Sequence, residues 1–99
     1  MYKISGIFSI TNNLTGKQYI GQSINIYALW KKYRYTYNTG DSEIFSDMRE
    51  YGIENFTFKV IEKCPIYLLN EKEKYYIELY NTISPNGYNK TTGGRGWRG

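Results

Sequence analysis

The chain has 99 residues, 40% of them apolar and 22% charged, which suits one globular domain with one core and excludes a disordered or collagen-like chain. Its net charge of +4 suits a nucleic-acid partner without proving one. Cys64 is the only cysteine and histidine is absent, so an intramolecular disulfide, a His-Cys metal centre and a histidine base are all excluded.

Residues 2–11 alternate, with Tyr2, Ile4, Phe8 and Ile10 on one face and Gly6 interrupting it, which predicts a strand with a close backbone approach at the glycine. Asn12 to Gly16 is turn chemistry, and residues 17–21 read as the second strand of a hairpin. Ser23 or Asn25 can then cap a helix whose stripe is Ile26, Trp30, Tyr33 and Tyr37. Asp41 or Ser42 opens a shorter helix that ends at Gly52. Phe56, Phe58 and Val60 alternate with Thr57 and Lys59 as a third strand. Pro65 suits the start of a third helix running to about Tyr80, with Leu69, Glu73, Tyr76 and Tyr80 inward.

The expected class is therefore α/β (α+β): a small mixed three-stranded sheet flanked by helices in the order ββααβα. Residues 1–92 form the domain, and 93–99 are a glycine- and arginine-rich tail or linker start. Arg95 in that tail is a candidate nucleic-acid contact. No apolar run approaches the roughly 20 residues of a membrane span, and no signal-peptide core follows Met1. The expected location is the cytoplasm of a bacterium or a phage-infected cell.

Gly6-Ile7-Phe8 and Tyr19-Ile20-Gly21 lie on adjacent strands. After them come a helix with an aromatic and basic end, Glu73 on a later helix, and Asn86-Gly87-Tyr88-Asn89. This set, in this element order, resembles the GIY-YIG nuclease superfamily over about residues 3–92, in particular the catalytic domain of phage and bacterial homing endonucleases. The resemblance implies metal-dependent cleavage of DNA. Mg²⁺ or Mn²⁺ would be held by one glutamate and otherwise by water and substrate oxygens, the sparse ligation that Mg²⁺ accepts. A strand tyrosine would help activate the attacking water, a helix arginine would steady charge on the phosphate, and a late asparagine would brace the site.

Carried over residue by residue, Glu73 matches the metal glutamate, Tyr19 the second signature tyrosine, Tyr33 the place usually held by histidine, and Asn89 the closing asparagine. Gly6 and Gly21 are the signature glycines. Each has a plainer alternative. Glu73 would close a capping box if the helix began at Asn70. Tyr19 would be a half-buried strand aromatic, and Asn89 ordinary turn chemistry. Besides Tyr33, two positions depart from the pattern. Phe8 lacks the first signature hydroxyl, and Leu29 stands where the arginine is expected, one turn before Tyr33 and within reach of the same cleft.

Lys31, Lys32 and Arg34, interleaved with Tyr33 and Tyr35, suggest phosphate contact; the alternative is a solvated helix face. Three functions follow: a metal-dependent DNA endonuclease weakened by Phe8 and Leu29, a catalytically inactive DNA-binding module on the same scaffold, or a protein-interaction domain that uses exposed tyrosines. Sequence specificity would come from a further DNA-binding domain, a dimer or a partner chain.

Overall fold

The computed structural model describes residues 3–93. Strands β1 (Gly6–Asn12) and β2 (Gln18–Ser23) form the expected hairpin, followed by helices α1 (Ile26–Thr36) and α2 (Glu43–Tyr51), strand β3 (Phe56–Lys63) and helix α3 (Leu69–Tyr80). The order ββααβα is the expected one. The sheet order is β2-β1-β3 and both pairings are antiparallel. A mixed sheet is expected from the sequence, but the parallel relation exists only between the outer strands β2 and β3, which run the same way without pairing. A short turn forces β2 to reverse on β1, while the two-helix connection returns β3 to the far edge of β1.

Period-2 alternation sends β1 side chains to two separate cores. Phe8 and Ile10 pack with Ile26, Ile44, Met48, Phe56 and Tyr88 beneath α1 and α2. Ile7 and Ile20 pack with Cys64, Leu69 and Ile77 beneath α3. The sheet is thus a middle layer covered on both faces. Cys64 is buried and serves as packing.

Two glycines permit contacts that a side chain would block. A Cβ on Gly6 would collide with the Glu62 carbonyl and the Lys63 Cα, so the predicted close approach is to the backbone of β3. Next to it the register slips between Ile7 and Phe8, leaving Ile61 as a bulge. Gly21 lies directly opposite Phe8, and a Cβ there would be 2.5 Å from Phe8 Cζ and 2.8 Å from Tyr19 Cε2.

The helix ends follow their caps. Asn25 accepts from the Ala28 N–H and Ser42 from the Phe45 N–H, each at 3.3 Å. Gly52 closes α2 with φ of 92°. Pro65 precedes a short 3₁₀ turn, Ile66–Leu68, and α3 proper begins at Leu69 without a side-chain cap. The buried line of α3 is Leu69 and Ile77 with half-buried Glu73 between them, an i, i+4, i+8 row. Tyr80, expected inward, is exposed, and half-buried Tyr76 turns to Glu62 with a hydroxyl contact of 2.7 Å. Among the described residues no helix is long and apolar enough to cross a membrane.

Candidate active site

Strand β2 is an edge strand, so side chains from its two faces can meet around its open side. Tyr19 and Gly21 point toward α1 and α2, whereas Ile20 and Gln22 point toward α3. The edge itself is closed by the segment after α3. Tyr88 N–H donates to the Gln18 carbonyl at 2.9 Å. The Asn89 side chain then acts as one more strand residue. Its Oδ1 accepts from the Ile20 N–H at 2.9 Å, and its Nδ2 donates to the Ile20 carbonyl at 2.9 Å. The Thr82 hydroxyl donates to the same Oδ1 at 2.8 Å. With Asn89 buried, its amide is committed to holding β2 and does not reach out as a reactive group.

A cleft of about 390 Å³ opens beside this edge, lined by Tyr19, Tyr33, Glu73 and Asn89 together with Glu43, Tyr88, Lys90, Thr91 and Gly93. The four residues singled out from the sequence as its chemistry are therefore brought together from β2, α1, α3 and the closing segment. Gln22 steadies the carboxylate: its Nε2 donates to Glu73 Oε1 at 2.9 Å and to Asn70 Oδ1 at 2.8 Å. Glu73 is the fifth residue of α3, too deep in the helix to close a capping box, and the cap position is Leu68.

Tyr33 and Tyr19 share a hydrogen bond. Burial pushes the Tyr33 phenol well above its usual range, and the neighbouring Tyr19 and the Glu73 carboxylate push it in the same direction. Tyr33 is thus a phenol, and a hydrogen-bond donor, throughout the neutral range. Tyr88 is also raised, first by burial and then by Asp47, to which its hydroxyl is bonded at 2.7 Å.

The altered positions lie behind this front. Phe8 is fully buried, edge-on to Trp30 at 5.9 Å and tilted on Tyr19 at 6.2 Å. Leu29 is half-buried against the same core and does not line the cleft, which corrects its expected placement there.

The basic group on α1 is dispersed. At about 100° per residue, Lys32 and Arg34 flank Tyr33 on opposite sides. Arg34 lies over the Phe58 ring on β3, 4.6 Å from its centroid, away from the cleft. Lys31 and Lys32 are exposed, and none of the three lines the cleft. Arg95 lies outside the described residues.

The structure adds Gln22, Glu43 and Lys90, which the sequence reading did not single out. Strand alternation could have placed Gln22 beside Ile20, and Lys90 directly follows Asn89. Glu43 looks like any first-turn helix carboxylate.

The family model described as the GIY-YIG catalytic domain matches residues 4–89. The chain belongs to this family. Among solved structures it resembles the catalytic domain of the homing endonuclease I-TevI, with 27% identity and a TM-score of 0.77, over 88% of this chain and 98% of that one. A glutamate-to-alanine mutant of the I-TevI catalytic domain, described as an intron endonuclease, matches with 25% identity and a TM-score of 0.80, over 91% and 96% of the two chains. This GIY-YIG chain therefore carries the framework of a nuclease catalytic domain over nearly its whole described length.

Proposed function

We propose that this domain is a metal-dependent DNA endonuclease. The observation that carries the reading is the convergence of Glu73 with the Tyr19–Tyr33 phenol pair in one cleft around the edge of β2. The donor set fits a hard divalent ion. Glu73 offers a carboxylate already oriented by Gln22, and the surroundings are hydroxyl and amide groups rather than sulfur or imidazole. Glu73 would hold Mg²⁺ or Mn²⁺, with water and phosphate oxygens completing the shell. The bound ion would supply charge for the phosphate oxygens and lower the pKa of a bound water.

The chain's own groups do the rest. Tyr33, kept protonated, donates to Tyr19 and fixes its ring. Tyr19 would take the proton of a water attacking phosphorus while passing its own to solvent, and the leaving oxygen would take a proton from solvent as its bond to phosphorus breaks. Asn89 acts as a positioning residue, because its amide fixes the strand that carries Tyr19. The lineage of the solved relatives supports DNA as the substrate. A further DNA-binding segment or a partner chain would supply sequence selection.

A second reading, an inactive DNA-binding module, is favoured by the absence of a hydroxyl at Phe8 and of a guanidinium at Leu29. Titration calorimetry with Mn²⁺ tests the metal reading. The parent should bind one ion and Glu73→Gln none, while both give the same circular dichroism spectrum. Equal binding by both proteins would refute Glu73 as the ligand.

A further inference from the structure

Among the described residues that line the cleft, Lys90 is the only cation. Its backbone follows the clamped Asn89, so its starting point is fixed on the edge of β2. Its side chain is 66% exposed and its ammonium lies 3.7 Å from Glu43 Oε1. The other oxygen of Glu43 is already engaged by Lys17 at 2.5 Å, and Lys17 in turn sits over the Tyr88 ring, 5.0 Å from its centroid. Lys17 and Glu43 therefore form the tighter pair at the wall, leaving the Lys90 ammonium the more loosely held at the opening. Lys17 is also the first cause that holds the Glu43 carboxyl below the usual carboxylate range, with Lys90 a lesser one. An exposed ion pair at such a distance costs little to break.

We propose that Lys90 is a substrate-binding residue that takes a phosphate of the nucleic-acid backbone into the cleft, with Glu43 holding its ammonium ready. It offers the cleft a positive charge that Leu29, packed in the core, does not, and as a point charge rather than a planar fork. The inference deepens the nuclease reading by naming a contact for the substrate, and it rests on that reading for the identity of the substrate. The grip itself involves no metal and no bond cleavage, so it is measurable without turnover.

The test is binding of a fluorescent 20-base-pair duplex in EDTA, by anisotropy across a potassium chloride series. One phosphate contact contributes about 0.9 to the slope of log K against log salt. Lys90→Ala should lower the slope by that amount and weaken binding roughly 3- to 10-fold at the lowest salt, while Lys90→Arg keeps the slope. Lys72→Ala, whose ammonium pairs with Glu62 beside α3, should leave the slope unchanged. An unchanged slope for Lys90→Ala, an equal loss for Lys72→Ala, or no binding by the parent would each overturn the proposal. Failure of the nuclease reading looks different: the parent would show the Lys90-dependent slope yet never cut in Mg²⁺. Cleavage together with an unchanged slope would refute Lys90 and leave the nuclease reading standing.

Discussion

Replacing Asn89 by alanine should destabilise the fold before it affects any chemistry. The substitution strands three groups at once: the Ile20 N–H, the Ile20 carbonyl and the Thr82 hydroxyl, all bonded to the amide at 2.8–2.9 Å. Ile20 is fully buried and Thr82 nearly so, so none has ready access to water in the intact fold. Each unsatisfied buried polar group costs about 1–3 kcal/mol. The vacated volume adjoins the cleft and admits water to part of the site, so the sum falls to about 3 kcal/mol rather than the additive maximum. At an m-value of roughly 2 kcal/mol/M this is a loss of about 1.5 M in the urea midpoint. Thr82→Val supplies the internal check. In the parent it should cost about 1 kcal/mol, whereas in Asn89→Ala it removes a hydroxyl already without its partner and should cost almost nothing. A midpoint shift below about 0.5 M, or an equal Thr82→Val cost in both backgrounds, would refute the amide as the brace of β2.

Gly21→Ala should cost about 1–3 kcal/mol, because its Cβ would sit 2.5 Å from Phe8 Cζ in a fully buried contact; a melting temperature equal to the parent's would contradict that packing. Tyr33, whose folded pKa is raised above its unfolded value near 10, contributes stability that is complete below about pH 10 and is lost as pH rises further, at up to about 1.4 kcal/mol per pH unit. Urea denaturation at pH 9 and pH 11 should show this loss in the parent and a smaller one in Tyr33→Phe, and equal losses would count against a buried phenol. Leu29→Arg should raise Mg²⁺-dependent plasmid nicking ~10-fold or more, since the longer side chain extends beyond the packed position of leucine toward the phosphate, with a larger gain when Phe8→Tyr is added. A folded, DNA-binding double variant that cuts no faster than the parent would remove position 29 from the site.

The elements were legible because their signals are local. Asn25, Ser42 and Gly52 mark helix ends, and the alternation around Phe8 and Ile10 fixes which face each strand side chain takes. The inward position of Glu73 is legible in its spacing to Leu69 and Tyr76, and the structure retains it on a row with Leu69 and Ile77. The strand directions were less accessible, since residue pattern says nothing about which edge of β1 receives β3. Tyr80 lies on the same row yet is exposed, because an apolar row does not reveal where the sheet beneath it ends. Helix spacing sets Leu29 one turn before Tyr33, but spacing does not say which of two such residues the core takes up. Asn89 was matched from the closing Gly-Tyr-Asn, yet its role as a surrogate strand residue depends on β2 being an edge. Lys90 and Glu43 acquire meaning only when α2 and the closing segment are placed side by side.

The central claim, that Glu73 makes this cleft a metal-dependent nuclease site, is tested most directly by nicking of supercoiled plasmid with 5 mM Mg²⁺ or with EDTA, comparing the parent with Glu73→Gln. Glutamine retains an oxygen that can accept from Gln22, so the fold should survive while the anionic ligand is lost. The account predicts open-circular product only from the parent and only with the metal present. Nicking by a folded Glu73→Gln at the parent's rate, or by the parent in EDTA, would contradict it.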